Sequence, residues 1–249
     1  MTLYRLSLRS LRFPPAEHAD ADGLLAVGGD LRTERLLEAY RNGIFPWYSE
    51  DTPILWWSPD PRMVFFPGRV RVSRRLARTL RPGRFEVSAD TDFAGVIRRC
   101  AETPREGQDG TWILPEMAAA YTRLHEEGHA HSVECRENGA LVGGLYGVSI
   151  GGCFFAESMF HLARDASKAA LAALSALCLR RGHALIDAQM PTAHLASMGG
   201  VVMPRREYLD RVRAAAARPD TAGPWAVPPD WRAAASELRE GPGPAASPA

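Results

Sequence analysis

The chain has 249 residues, 46% hydrophobic and 24% charged, and its 30 basic and 29 acidic side chains give a net charge of +1. That length allows one large domain or two unequal ones, with enough apolar material for a core that needs no disulfide or metal staple. The near-neutral balance excludes a globally basic nucleic-acid coat but leaves room for a local basic patch.

Residues 1–60 are rich in aromatics, Gly and Pro, with one helix pattern: Thr33 can cap Glu34–Asn42 and Gly43 can end it. The following GIFPWYSEDTPILWWSPDPR is irregular, its prolines breaking any helix. Residues 61–85 hold eight arginines (62, 69, 71, 74, 75, 78, 81 and 84) and no acid, so the rest of the chain carries −7. Ser73 is expected to cap a short helix that places Arg74, Arg78 and Arg81 on one face.

From residue 84 onward strands and helices alternate. The pattern predicts a strand at Phe85–Ser88 and helices near Asp92–Ala101 and over Pro115–Glu127, the second with Pro in its first turn. Strands are expected at His131–Arg136, Ala140–Val148 and Cys153–Met159, joined through Asn138-Gly139 and Gly151-Gly152 turns. A long helix over Ala166–Arg181, capped by Asp165 and ended by Gly182, precedes a buried strand at His183–Ala188. A short helix near Thr192–Met198, a strand near Val201–Met203 and an amphipathic helix over Arg206–Ala217 follow. The Ala/Gly/Pro/Ser-rich tail, residues 232–249, is expected to be disordered. This order implies an α+β fold with a mixed, largely antiparallel sheet flanked by helices.

Cys100, Cys135, Cys153 and Cys178 show neither C-x-x-C nor zinc-ligand spacing, so they read as reduced core residues of a cytoplasmic protein. MTLYRLSLRSLRFPP has no continuous apolar stretch, so no signal peptide is expected. No run approaches the ~18 apolar residues of a membrane-spanning helix.

Two acids stand out on apolar strands. Asp187 and Gln189 alternate in ALIDAQM and are expected to share a sheet face. Asp187 is either a helix cap, the partner of an arginine, or a functional carboxylate. Glu157, in FFAESMF, is either an edge-strand acid facing water or the second half of a negative pocket for a cationic ligand. Trp47, Tyr48, Trp56, Trp57 and Trp112 either pack the N-terminal region or offer a stacking platform for nucleic-acid bases. Eight arginines without an acid repel one another and favour an anion, RNA or DNA. The chain lacks a P-loop, a G-x-G-x-x-G between strand and helix, an H-E-x-x-H and a G-x-S-x-G, so nucleotide-cofactor binding, zinc hydrolysis and serine-elbow chemistry are not indicated.

The strings Asp22-GLLAVGGDL, Gly43-IFPWYS, Ile54-LWWSPDPR, Gly110-TWI, Leu141-VGGLYGV, Ala156-ESMF, Ala166-SKAAL, Leu185-IDAQ and Met203-PRREY closely resemble the leucyl/phenylalanyl-tRNA–protein transferases of bacteria, over roughly residues 5–215. The resemblance implies an enzyme that moves Leu or Phe from aminoacyl-tRNA to the N-terminal Arg or Lys of acceptor proteins, marking them for N-end rule degradation. It implies a small N-terminal domain over 1–62 and an acetyltransferase-like (GNAT-like) catalytic domain over 63–231, acting in the cytoplasm as a monomer without metal, other cofactor or membrane.

On that resemblance Asp187, Gln189 and Glu157 match the reactive centre. Arg74, Arg75, Arg78 and Arg81 match the basic tRNA-binding cluster, and Trp47 and Trp112 match aromatics around the terminal adenosine. Met159, Leu145 and Ile186 match the pocket for the transferred side chain, with Leu145 where a methionine often stands. Two rivals remain at this point. An acetyl-CoA-dependent acetyltransferase should carry an [RQ]-x-x-G-x-[GA] loop before the long helix, and Phe160-HLARDASK has no glycine. A non-catalytic RNA-binding module would account for the arginines and tryptophans but not for Asp187 beside Gln189.

Overall fold

The computed structural model describes residues 3–80, 84–103, 111–220 and 223–232. In chain order the elements are β1 (Tyr4–Leu6), β2 (Leu24–Gly28), α1 (Thr33–Arg41), β3 (Phe45–Pro46), β4 (Leu55–Trp57), β5 (Arg62–Phe65), α2 (Arg74–Thr79), β6 (Glu86–Ala89), α3 (Phe93–Glu102), α4 (Pro115–Glu126), β7 (Ala130–Glu137), β8 (Ala140–Ile150), β9 (Cys153–His161), α5 (Ala166–Arg180), β10 (Leu185–Asp187), α6 (Ala193–Ser197), β11 (Val201–Met203) and α7 (Arg205–Ala216).

Two sheets form: β1-β2-β4-β3, and β11-β5-β10-β9-β8-β7-β6. In the larger one β10 runs parallel to β9 and every other pairing is antiparallel. Strand alternation sends neighbouring side chains to opposite faces. Tyr146, Phe155 and Leu185 join the core shared with α1, α3, α4, α7 and the small sheet, whereas Leu145, Phe154 and Ile186 face α5. Helix α5 is apolar nearly all round, as a helix buried on every side must be. Its outer side is covered by Leu76 and Leu80 from α2 and its C-cap, and by Trp225 and Trp231.

The long elements stand close to where their sequence signals put them, but Thr33 is the first residue of α1 rather than its cap, and Asp165 precedes α5 without a side-chain cap bond. Ser73 caps α2 through the Leu76 N–H, and Asp92 caps α3 through the Gly95 N–H. Gly43, with φ +70°, ends α1 where a Cβ would sit 2.9 Å from the Tyr208 ring, so the left-handed turn also admits α7. The N-terminal region departs from expectation: its strands are two to five residues long and interrupted by Pro and Gly, too short to leave a period-two signal. β5 is the second departure, a fully buried strand inside the arginine-rich stretch. Arg232 donates to the Leu80 and Phe85 carbonyls, tying the end of the described chain to the end of α2. Residues 233–249 lie outside the described residues.

Candidate active site

β10 stops at Asp187, opposite Phe155, while β9 runs on to His161. Ala156–Met159 therefore lack a strand on that side, and a cavity of about 290 Å³ opens there. Leu145, Met159, Ile186, Phe65, Leu171 and Leu195 line it, and among the described residues Glu157 is the one carboxyl on the wall. The three residues expected to form an apolar pocket are thus brought together, in a cavity near the lower end of ligand-pocket sizes.

Glu157 reaches this position through a bulge. Gly147 pairs with Ala156 and Tyr146 with Ser158, leaving Glu157 as the extra residue of β9. Gly147 is required opposite it, since a Cβ there would collide with the Phe155 carbonyl. Glu157 is buried rather than edge-facing. Its Oε2 accepts from the Tyr121 hydroxyl at 2.9 Å, and its Oε1 accepts from Gln189 Nε2 at 2.9 Å. Tyr121 in turn makes a short hydroxyl contact with Tyr40. Burial pushes the Glu157 carboxyl up to about 7, against the pull of the Tyr40 and Tyr121 hydroxyls, and the Asp187 charge adds to the rise. Burial also raises both tyrosines well above their ordinary range, so they stay protonated donors.

Asp187 is completely buried, and both its oxygens are occupied. Oδ1 accepts from Arg62 Nε and from the Gln189 N–H, each at 2.9 Å. Oδ2 accepts from Arg62 Nη2 at 2.6 Å and from the Tyr208 hydroxyl at 2.8 Å. The Arg62 guanidinium lies 4.8 Å from the Phe45 ring and 4.5 Å from the Tyr208 ring. Burial opposes the Arg62 charge, but the Asp187 carboxylate outweighs it and raises the Arg62 pKa. The arginine partner anticipated for Asp187 is present, and it belongs to the arginine-rich stretch of residues 61–85.

Gln189 does not continue the strand. It adopts a left-handed backbone, φ +60°, fixed by its N–H on Asp187 and by the Met63 N–H on its carbonyl at 3.0 Å. The expected shared face with Asp187 is replaced by a turn that aims the side chain at Glu157. Because its Nε2 is spent on Glu157, the amide oxygen is left available as an acceptor.

Arg74, Arg75 and Arg78 are exposed on α2, Arg84 pairs with Glu137 at 3.1 Å, and Arg81 lies outside the described residues. Trp47 is exposed beside Trp57, with ring centroids 5.6 Å apart, while Trp112 is half-buried against the core under the small sheet. Arg62, Tyr40 and Tyr121 were not singled out from sequence; an arginine on an apolar strand and tyrosines on amphipathic faces look like ordinary surface and core. Tyr208 closes the PRREY string but carried no role there. Among the described residues no three His, Cys, Asp or Glu side chains gather as a metal-ligand set.

The family model described as leucyl/phenylalanyl-tRNA protein transferase matches residues 64–213, and the model of that family's N-terminal domain matches residues 29–60. A leucyl/phenylalanyl-tRNA–protein transferase of Solidesulfovibrio magneticus is 55% identical over 90% of this chain and 91% of its own. Those of Anaeromyxobacter sp. and Aromatoleum aromaticum are 57% and 61% identical, over 90% and 79% of this chain and 95% and 83% of their own. Among solved structures, a GCN5-related N-acetyltransferase from Kribbella flavida aligns with a TM-score of 0.31 at 12% identity, over 67% of this chain and 58% of that one. With identities this high along most of both chains, the protein belongs to the leucyl/phenylalanyl-tRNA–protein transferase family and is an aminoacyltransferase.

Proposed function

We propose that the chain transfers Leu or Phe from its tRNA to the N-terminal Arg or Lys of a protein, and that the Gln189–Glu157 pair beside the apolar cavity is where the amine meets the ester. The observation that carries this reading is the coincidence of an apolar cavity with a single hydrogen-bonded, proton-poised carboxyl on its wall. The Leu or Phe side chain enters between Leu145, Met159 and Ile186. The acceptor α-amine attacks the ester carbonyl: a C–N bond forms, the ester C–O bond breaks, the ribose oxygen takes up a proton and the amine gives one up.

The ester is already activated, so holding the two reactants together supplies much of the rate, with no further cofactor in the balance. The Gln189 amide oxygen accepts an amine N–H, and Glu157, with a pKa near 7, takes the proton. Asp187 acts as a positioning residue, since its oxygens are filled by Arg62, Tyr208 and the Gln189 N–H. The acidic wall suits a cationic N-terminal residue. Arg74, Arg75, Arg78 and Arg81 serve the acceptor-stem phosphates, and Trp47 and Trp112 the terminal adenosine. The enzyme works as a cytoplasmic monomer whose products enter N-end rule degradation; no helix among the described residues is long and apolar enough to cross a membrane.

The test is transfer of radiolabelled leucine from leucyl-tRNA to two peptides, one beginning with Arg and one with Ala, without coenzyme A or ATP. Label on the Arg peptide alone is the expected result. No label, with tRNA still retained by the protein, would overturn the reading in favour of an RNA-binding relative.

A further inference from the structure

A second cavity, of about 260 Å³, lies beside the first. It is bounded by Arg71, Ser73 and Arg75 around the start of α2, by Arg164 and Lys168 around the start of α5, and by Ser197 of α6. Four cations face it against one acid, Asp165, whose carboxylate is tied to Lys168 at 3.0 Å. Among the described residues the side chains of Arg71, Arg75 and Arg164 have no acidic partner. Like charges gathered without counter-charge raise the local potential and attract an anion.

α5 is a 15-residue helix whose N-cap, Asp165, sits in a left-handed conformation and makes no side-chain cap bond. Its carboxylate is turned to Lys168, while the Ala166 N–H is taken by the Ala163 carbonyl at 3.2 Å and the Ser167 nitrogen packs against Gly143, so holding an anion falls to the side chains around the cavity.

The cavity's neighbourhood says which anion. Lys168 lines this cavity and Leu171 lines the apolar one, three residues and about 4.5 Å apart along α5. Leu195 and Ser197 are divided between the two cavities in the same way on α6. An anion here is therefore held close to the amino acid in the apolar cavity, the arrangement a nucleotide ester with a neighbouring phosphodiester presents.

We infer that this cavity binds a backbone phosphate of the donor's single-stranded 3′ end through Arg71, Arg164 and Lys168, with Arg75 at the border between it and the acceptor-stem arginines Arg74 and Arg78. The ligand's identity rests on the transferase reading; the anion site itself rests on the cavity and its charges.

Arg164→Ala tests it, because Arg164 is exposed and its side chain supports nothing among the described residues. Expected are a roughly tenfold higher KM for leucyl-tRNA with kcat within about twofold, in keeping with loss of one charge-assisted contact. In filter retention of tRNA across a KCl series, the slope of log K against log[salt] should fall by about 0.7. Arg164→Lys should recover most of the affinity. An effect that is merely structural would lower kcat and leave the salt slope alone. Unchanged KM and slope overturn the inference. Failure of the wild type to transfer leucine overturns the transferase reading alone, and the retention series still decides the cavity.

Discussion

The end of β10 and the bulge in β9 each bury a carboxylate, and the two are joined through Gln189, yet they are built in opposite ways. Asp187 faces a guanidinium in bidentate contact, a tyrosine hydroxyl and a backbone N–H, so every acceptor position is used and the charge is matched in place. Among the described residues Glu157 faces no cation at hydrogen-bond distance; neutral donors, the Tyr121 hydroxyl and the Gln189 amide, hold it, and its carboxyl is pushed up to about 7. A buried acid with a matched cation becomes an anchor, whereas one held by neutral donors is left able to exchange a proton at physiological pH. The two belong together: the anchor fixes the turn, and the turn aims the amide that holds the exchanger.

The largest expected effect comes from breaking the anchor. Arg62→Ala strands the Asp187 charge in the core and should lower stability by about 3–5 kcal/mol, read by denaturant unfolding. A loss below about 1 kcal/mol would mean that Asp187 is not held as an ion pair. Glu157→Gln should do the reverse, leaving stability at pH 7 no lower than that of the wild type while kcat falls about 100-fold. Equal instability in both variants, or full activity in the second, would abolish the distinction.

pH sharpens the comparison further. With Glu157 as the proposed base, activity below pH 7 requires deprotonation of both Glu157 and the acceptor amine, whose pKa is about 8. The log of kcat/KM should therefore fall with slope two there, and with slope one in Glu157→Gln. Stability runs the other way. Glu157 has a folded pKa above its unfolded value of 4.5, so the folded state holds the extra proton. Its contribution is complete below pH 4.5 and is lost as pH rises through about 7, by on the order of 3 kcal/mol. The Gln variant should lose that slope.

Tyr121→Phe is a smaller perturbation. It removes one donor from Glu157, costs about 1 kcal/mol and moves the acid limb of the rate profile to higher pH. An unmoved limb would remove Tyr121 from the control of Glu157. Leu145→Met is the smallest: it roughly conserves volume and adds flexibility, and should change the ratio of Leu to Phe transfer by less than about tenfold with no change in stability above about 1 kcal/mol.

The sequence by itself determined the elements whose signals are local. The α5 pattern, the Ser73 cap, the hairpin turn at Asn138-Gly139 and the glycines closing α1, α4 and α5 depend only on neighbours a few residues away, and they stand where the residues place them. The apolar trio Leu145, Met159 and Ile186 was legible through the family strings, and the cavity gathers all three. What only the tertiary structure decided are the pairings between distant segments. The small N-terminal sheet is made of strands too short to carry a period, and β5 reads as basic surface until its partners are known. Arg62 sits 125 residues from Asp187, and nothing local separates it from the exposed arginines that follow. Gln189 lies on the strand face by alternation, but the N–H bond to Asp187 turns it left-handed. Local propensity acts over a few residues; burial of a charge obliges it to find a partner wherever the fold brings one.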